Sequence, residues 1–287
     1  MKLQIRDIQN TKQEKSAIIC GHGPSLGPIK DKIESLQSQG KLDRFSLNNW
    51  YDYFNTVPTY WIISNTNFNI FNMFHQMNEF NTPIFYSIDG DPTEYSFIDA
   101  NLKCDYLPYD QRHFKQKNCR DILESFRNHY QKHENFNFME YGNNSAMWKP
   151  PRTGGPYGWA GFDPYQRCCG RKITEEATIQ ECLQELTGHN DHYSTADTVA
   201  FHAVAFALLM GYKTVYIAGM DLDYSKGYDN PEMPINIDHL NIWHNYKENT
   251  LNDIRILSES ADMLNSKIVN LTIEPWYDGF ERGALEL

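Results

Sequence analysis

The stretch "SAIICGHGPSLG" (residues 16–27) begins as an apolar run and ends in a turn that carries few side-chain atoms. The apolar half is typical of a buried strand. Gly21 and Gly23 allow backbone angles that other residues resist, and Pro24 suits the first turn of a helix. The stretch therefore predicts a strand, a glycine turn and the start of a helix.

The bare backbone of this turn has two interpretations. The first N–H groups of a helix lack intrahelical partners, so a turn of this kind can bind an anion. Alternatively, the turn is only a tight connection between a strand and a helix. It lacks the Gly-Lys-Ser/Thr ending of a P-loop, and the spacing of Gly27 does not fit the GxGxxG pattern. Both interpretations stay open on the sequence alone.

The rest of the chain alternates between strand patterns and helix patterns. Further strands are predicted within residues 44–50, 58–68 and 83–91, and helices within 28–42 and 119–132. Residues 195–224 predict a long apolar helix, a glycine stop and a strand, and residues 249–272 repeat the helix–strand unit. This alternation predicts an α/β fold, a Rossmann-like parallel sheet with helices on both faces and an inserted lid-like region.

We divide the chain into three parts. Residues 1–130 are predicted to form a nucleotide-binding α/β half, and residues 195–287 a second half that completes the same domain. Residues 131–194 are the predicted insertion, or lid, that contacts the acceptor. Within it, residues 138–172 combine aromatic, glycine and basic residues, and Trp148, Trp159 or Tyr165 could stack on a sugar. The alternative is an insertion that simply packs on the sheet.

Composition narrows the class of protein. A net charge of −11, from 26 Lys plus Arg against 37 Asp plus Glu, disfavours a general nucleic-acid binder. The six cysteines form no CxxC pair, which indicates a reduced, cytoplasmic protein. Residues 1–16 are too polar for a signal peptide, and no apolar run approaches membrane-spanning length. We expect a soluble protein; peripheral membrane contact and a homo-oligomer stay open.

Polar residues follow the predicted strands at their carboxyl ends, which is where parallel sheets bind ligands. Asparagine supplies both donors and acceptors without charge, which suits a sugar or a base. Each of these groups alone could cap a helix or shape a turn, but together they predict a cleft. Its predicted lining is Gly21 to Ser25, Asn48, Asn65, Asp221 and Tyr224.

Four stretches of the chain resemble known families: "GHGPSL", "FSLNNWY", "VPTYWIIS" and "TVAFHAVAFALLMGYKTVYIAGMDLDY". They resemble the 6-hydroxymethylpterin diphosphokinase MptE-like family, in its surface-polysaccharide branch, and the bacterial sialyltransferases of glycosyltransferase family 42. The resemblance covers roughly residues 15–68 and 195–280. It implies a glycosyltransferase of surface-glycan synthesis that uses a nucleotide-activated sugar, with a CMP-linked nonulosonic acid as the first candidate donor. The acceptor would be a glycan or a small molecule.

The sialyltransferase resemblance also implies roles for individual residues in donor binding. The donor would bind at Gly21, His22, Gly23, Pro24, Ser25, Asn48, Asn65, Thr198 and Asp221. Two of these positions depart from the family. His22 replaces the usual asparagine, and Thr198-Val199 replaces a Ser-Gly pair.

Transfer from a sugar nucleotide needs a base for the acceptor hydroxyl and a group that neutralises the leaving phosphate. Histidine titrates near neutral pH and suits the first task, and tyrosine hydroxyls can perform the second without a metal. The resemblance implies that Tyr224 and Tyr228 stabilise the phosphate and that a downstream histidine is the base. His239 and His244 are the two candidates, and no cofactor is expected.

Aspartate pairs supply the competing interpretation. Asp221-x-Asp223 and Asp89-x-Asp91 each follow a predicted strand, and such pairs can hold Mg²⁺ or Mn²⁺ under a diphosphate. Alternation along an extended chain would place Asp221 and Asp223 on one face. The MptE-like resemblance would then imply a phosphotransferase that uses ATP and Mg²⁺. A non-catalytic sugar- or nucleotide-binding module is the third hypothesis.

Overall fold

A computed structural model describes residues 1–63, 66–87, 100–109, 178–187, 198–233, 250–251, 253–273 and 275–287 of the 287-residue chain. These ranges are called the described residues below.

The described residues form one sheet of eight strands in which every neighbouring pair is parallel. In chain order the strands are β1 (Ser16–Cys20), β2 (Asp43–Leu47), β3 (Tyr60–Ile63), β4 (Ile84–Ser87), β5 (Tyr106–Tyr109), β6 (Thr214–Ala218), β7 (Lys267–Asn270) and β8 (Glu281–Arg282). Their order across the sheet is β5-β4-β3-β2-β1-β6-β7-β8. The predicted parallel α/β sheet is confirmed.

Helices connect the strands. They are α1 (Ile5–Ile8), α2 (Lys30–Ser38), α3 (Thr66–Phe80), α4 (Ile179–Thr187) and α5 (Val199–Met210), and residues 250–251 and 253–263 are also helical. Short 3-10 helices span Pro24–Ile29, Trp50–Asp52 and Tyr224–Lys226. Within the described ranges, every helix is too short or too polar to cross a membrane.

The sequence of α5 sets both of its ends. At the N-terminus, Thr198 Oγ1 accepts a hydrogen bond from the Ala200 amide at 3.3 Å and caps the helix. At the C-terminus, Gly211 has φ of +88°, the left-handed conformation that a glycine adopts without steric cost. The predicted order of apolar helix, glycine stop and strand is therefore confirmed.

Apolar side chains cover both faces of the sheet. On one face lie α4 and α5, and the ring of Phe206 in α5 is 4.8 Å from that of Phe85 in β4. On the other face, Leu36 of α2 and Met77 of α3 join the cluster around Trp61. Because both faces are covered, the strands are apolar at successive positions. The predicted helices on both faces are confirmed.

Two strands end before the last residue of the stretch within which they are predicted. The third strand ends at Ile63, and α3 begins at Thr66, inside the predicted stretch 58–68. The second strand ends at Leu47, because Asn48 has φ of +40° and turns the chain out of the sheet. Asparagine tolerates this left-handed conformation better than most residues.

Strands from both ends of the chain share the one sheet, since β1 pairs with β6 along five residues of each strand. Of the predicted insertion, 131–194, the structure describes residues 178–187. This part forms α4, whose Cys182, Leu183 and Leu186 join the core beneath α5. The aromatic and basic stretch 138–172 and its candidate stacking residues lie outside the described residues, so the domain division stays a prediction.

Candidate functional site

The strand order reverses between β1 and β6. From β1 the chain runs outward to β5 on one side, and it then returns to β6 on the other side of β1. In open α/β sheets, a reversal of this kind leaves a crevice at the carboxyl ends of the two strands, and ligands bind there. The residues at this point are Gly21–Ser25 after β1 and Gly219–Asp223 after β6.

The loop after β1 and the loop after β6 touch along their backbones. The Gly21 amide donates to the Ala218 carbonyl and the Gly23 amide donates to the Gly219 carbonyl, both at 2.8 Å. A Cβ atom on Gly21 would lie 2.3 Å from the Gly219 oxygen. The bare backbone at Gly21 is therefore required by contact with the neighbouring loop, a reason that neither interpretation of the turn had given.

Asp221 extends this contact to the start of the 3-10 helix. Its Oδ2 atom accepts hydrogen bonds from the Ser25 amide at 3.2 Å and from the Ser25 hydroxyl at 2.8 Å. A Cβ atom on Gly23 would lie 2.1 Å from the same oxygen. Asp221 is only 7% exposed. The protein's own carboxylate thus occupies the position at the start of a helix where an anion would bind.

Asp221 and Asp223 do not lie on an extended segment. Gly219 and Leu222 have φ of +65° and +50°, so the two-residue alternation assumed for a metal-binding pair is wrong here. Asp223 accepts hydrogen bonds from the amide and hydroxyl of Ser225. Among the described residues, no group of three or more His, Cys, Asp or Glu side chains could hold a metal ion.

His22 lies beside this contact and stacks on Tyr53, with ring centroids 4.1 Å apart and planes 15° apart. Burial lowers the pKa of His22 to about 4, although a hydrogen bond to the Leu47 backbone opposes this shift. Among the described residues, the buried Nε2 atom has no hydrogen-bond partner, which leaves Nδ1–H as the donor to Leu47. His22 is therefore neutral at physiological pH.

Tyr53 forms the stack with His22, and Tyr228 lies close enough to Tyr53 to influence its pKa. Burial, together with the nearby Asp52, Tyr228 and Asp229, raises the pKa of Tyr53 to about 12. Burial also raises the pKa of Tyr228. Both phenols therefore keep their protons at neutral pH and can donate hydrogen bonds to an anionic group.

Two other predicted donor-binding residues have structural partners. The Asn48 amide donates to Ile62 at 2.9 Å and its carbonyl accepts from Trp61 Nε1 at 2.6 Å, which fixes the turn after β2. Thr198 caps α5 as described above. Their contact with a donor stays a prediction.

The structure brings several of the predicted residues together at one edge of the sheet: Gly21, His22, Gly23, Pro24, Ser25, Asn48, Asp221 and Tyr228. Of Tyr224 it describes the backbone alone, within a 3-10 helix. Four further residue predictions lie outside the described residues: Asn65, His239, His244 and the Asp89–Asp91 pair.

Sequence reasoning missed two residues of this edge, Tyr53 and Asp229. Tyr53 stands in the aromatic run after β2, and that run is typical of a core as much as of a site. Asp229 carried no signal, because a single aspartate in a polar segment is usually solvated.

No family model matches the chain, and no curated protein is significantly similar to it. Among solved structures, the sialyltransferase CstII from Campylobacter jejuni in complex with CMP matches with a TM-score of 0.39 and 15% identity, covering 94% of this chain and 85% of that chain. Its complex with CMP-3FNeuAc matches with a TM-score of 0.39 and 17% identity, covering 93% and 84%. These values describe a distant likeness in overall fold. The resemblance to the MptE-like family stays a prediction.

Replacing Asp221 with alanine is expected to lower the free energy of unfolding by about 2–4 kcal/mol, because it leaves the buried amide and hydroxyl of Ser25 without an acceptor. Ser25→Ala removes only the hydroxyl bond and should cost about 1 kcal/mol. The matched control, Asp223→Ala, removes a more exposed carboxylate. Urea unfolding followed by circular dichroism measures all three. Equal losses at Asp221 and Asp223 would contradict the buried contact.

The stability of the protein should depend on pH through His22. Its pKa is about 4 in the folded chain against an ordinary 6.5, so between these values the unfolded chain binds the extra proton. The stabilising contribution is fully present above pH 6.5 and is lost as the pH falls toward 4, by at most about 1.4 kcal/mol per pH unit.

His22→Asn has no titrating ring, so its free energy of unfolding should decline less steeply than that of the wild type over this window. Urea unfolding at intervals from pH 7.5 to 4.5 compares the two proteins. Identical slopes would show that His22 titrates normally in the folded chain.

Proposed function

We propose that the protein is a glycosyltransferase that uses a nucleotide-activated sugar, with a CMP-linked nonulosonic acid as the donor, in surface-glycan synthesis. The observation that carries the proposal is the grouping of neutral His22 with the protonated Tyr53 and Tyr228 at the β1–β6 crevice. This grouping offers two phenolic donors and aromatic surface, which suits a nucleotide and its leaving phosphate. The choice of CMP rests on the sequence resemblance of the stretches around residues 21–26 and 211–221.

The leaving nucleotide carries a phosphate whose charge must be stabilised as the glycosidic bond to the donor breaks. Tyr228, whose phenol stays protonated, is suited to donate a hydrogen bond to that phosphate. Tyr224 would act beside it, as the sequence resemblance implies. The protein would then need no metal ion at this position.

The acceptor hydroxyl must lose a proton to a base during transfer. His22 is a poor candidate, since a base with a pKa of about 4 holds protons weakly at neutral pH. The base must therefore come from another part of the chain. We propose His239 or His244, which follow the Tyr228 region in sequence and lie outside the described residues.

The competing phosphotransferase would use Asp221 and Asp223 as ligands for Mg²⁺ or Mn²⁺. In the structure, Oδ2 of Asp221 already accepts two hydrogen bonds from Ser25. A metal there would have to replace these bonds or use the other oxygen, which favours the glycosyltransferase proposal.

CMP should stabilise the protein against heat without a divalent cation, since the proposed site uses only neutral protein groups. At a concentration about 100 times its Kd, the expected gain is about 2.7 kcal/mol. Thermal shift with CMP, UDP, GDP and ATP, each with and without Mg²⁺, measures this, and cytidine is the control that lacks the phosphate.

Stabilisation by ATP only in the presence of Mg²⁺ would contradict the proposal and favour the phosphotransferase. Stabilisation by UDP or GDP alone would keep a glycosyltransferase but remove CMP as the nucleotide. Binding of CMP with neither transfer nor hydrolysis of the sugar nucleotide would favour a binding module.

Alanine at one of the two candidate histidines should reduce transfer by about 10²–10⁴-fold while leaving CMP affinity unchanged, because a base acts on the acceptor proton alone. Steady-state transfer assays and CMP titration on His239→Ala and His244→Ala measure this. His75→Ala is the matched control, since His75 is exposed on α3. Near-normal transfer in both variants would remove histidine from the mechanism.

A further inference from the structure

After β6, the chain contacts the loop that follows β1 a second time, through Asp229. Residues 224–233, called the Tyr228 segment below, follow Asp223 and include a 3-10 turn at Tyr224–Lys226. The Asp229 amide donates to the His22 carbonyl at 2.8 Å. The Tyr228 segment is thus attached to the residue that carries the stacked imidazole.

The side chain of Asp229 makes a second attachment. Its Oδ2 atom lies 3.6 Å from Lys30 Nζ, and the carboxylate is 12% exposed. A Cβ atom on Gly27 would lie 2.4 Å from Oδ1. Asp229 is therefore packed against the 3-10 helix that follows the glycine turn and is paired with the first residue of α2.

Gly27 is a position where a substitution can test the packing of Asp229. Its φ is not in the left-handed range, so its backbone conformation accepts an alanine. Among the described residues, and leaving aside the backbone of its own helix, the Asp229 carboxyl group is the one group that would lie within 4 Å of the added Cβ. The space at Gly27 is thus occupied by Asp229.

We propose that Asp229 is a positioning residue that holds Tyr228 beside Tyr53 and His22 in the candidate site. Tyr228 directly precedes Asp229, so the two attachments of Asp229 restrict where the Tyr228 phenol can lie. The nearby Tyr228 and Asp229 both contribute to the raised pKa of Tyr53, which agrees with this placement. The role of this placement in ligand binding rests on the proposed function, whereas the attachment itself does not.

Two glycines that follow β1 therefore leave space for two carboxylates that follow β6. Gly23 leaves room for Asp221, and Gly27 leaves room for Asp229. The first contact fixes the loop after β6, and the second fixes the Tyr228 segment. Ion pairing adds little, since a pair at 3.6 Å that is partly exposed contributes weakly. Packing and hydrogen bonding therefore contribute most of the attachment of Asp229.

Hydrogen exchange tests the attachment without any ligand. In Asp229→Ala, amides of the Tyr228 segment should exchange at least tenfold faster than in the wild type, whereas Asp229→Asn keeps the shape and should restore most of the protection. Unchanged exchange in Asp229→Ala would overturn the proposal. Gly27→Ala should have the same effect as Asp229→Ala, because the new Cβ displaces the carboxylate.

In the double variant Gly27→Ala/Asp229→Ala, amides of the Tyr228 segment should exchange no faster than in Asp229→Ala alone, because the added methyl group then meets no carboxylate. Independent, multiplied effects in the double variant would overturn the packing of Asp229 against Gly27. This double-mutant cycle tests whether Asp229 packs against Gly27, and it does so whether or not the protein binds a nucleotide.

CMP titration tests the role in the site. Asp229→Ala should raise the Kd for CMP at least tenfold at a temperature where it is fully folded, and Asp229→Asn should stay within about threefold of the wild type. Leu36→Ala, a core variant in α2, is the control for lost stability and should keep the wild-type Kd.

An equal loss of CMP affinity in Asp229→Ala and Leu36→Ala would overturn the positioning role of Asp229. If the wild type binds no CMP, CMP is removed as the proposed nucleotide, and the hydrogen-exchange cycle still decides whether Asp229 holds the Tyr228 segment.

Discussion

The contact between the loop after β1 and the loop after β6 is the constraint on which the candidate site depends. It joins residues nearly 200 positions apart in sequence, with the Ser25–Asp221 separation at 196. Glycines at 21, 23 and 219 are needed because the two backbones come closer than any side chain would permit. The glycine turn therefore first serves the fold, and the surface that this contact creates is the candidate site.

That surface differs from a phosphate-binding turn in its charge. The amide at the start of the 3-10 helix already bonds a carboxylate, so a phosphate would be repelled there rather than attracted. What the surface offers is a neutral imidazole and two protonated phenols. Under the proposed function, this surface would contact the nucleotide by hydrogen bonds and stacking, and tyrosine hydroxyls would contact the phosphate.

The sequence predicts those parts of the fold that local patterns encode. β1, α5 and β6 follow from apolar runs that end at Gly21, Gly211 and Gly219. β5 was missed because Pro108 interrupts its pattern, and a proline is tolerated there since β5 lies at the edge of the described sheet. Of the candidate site, the polar residues at the strand ends could be predicted, because parallel strands bring their carboxyl ends to one edge. The pairing of Gly27 with Asp229 could not, because a contact between residues so distant leaves no local pattern.

A crystal structure of the protein with CMP gives the sharpest test of the candidate site. We expect CMP to lie against His22, Tyr53 and Tyr228, and Asp221 to keep both hydrogen bonds to Ser25. A complex in which Asp221 has moved away and the phosphate binds the Ser25 amide would contradict this expectation, as would CMP bound at the opposite edge of the sheet.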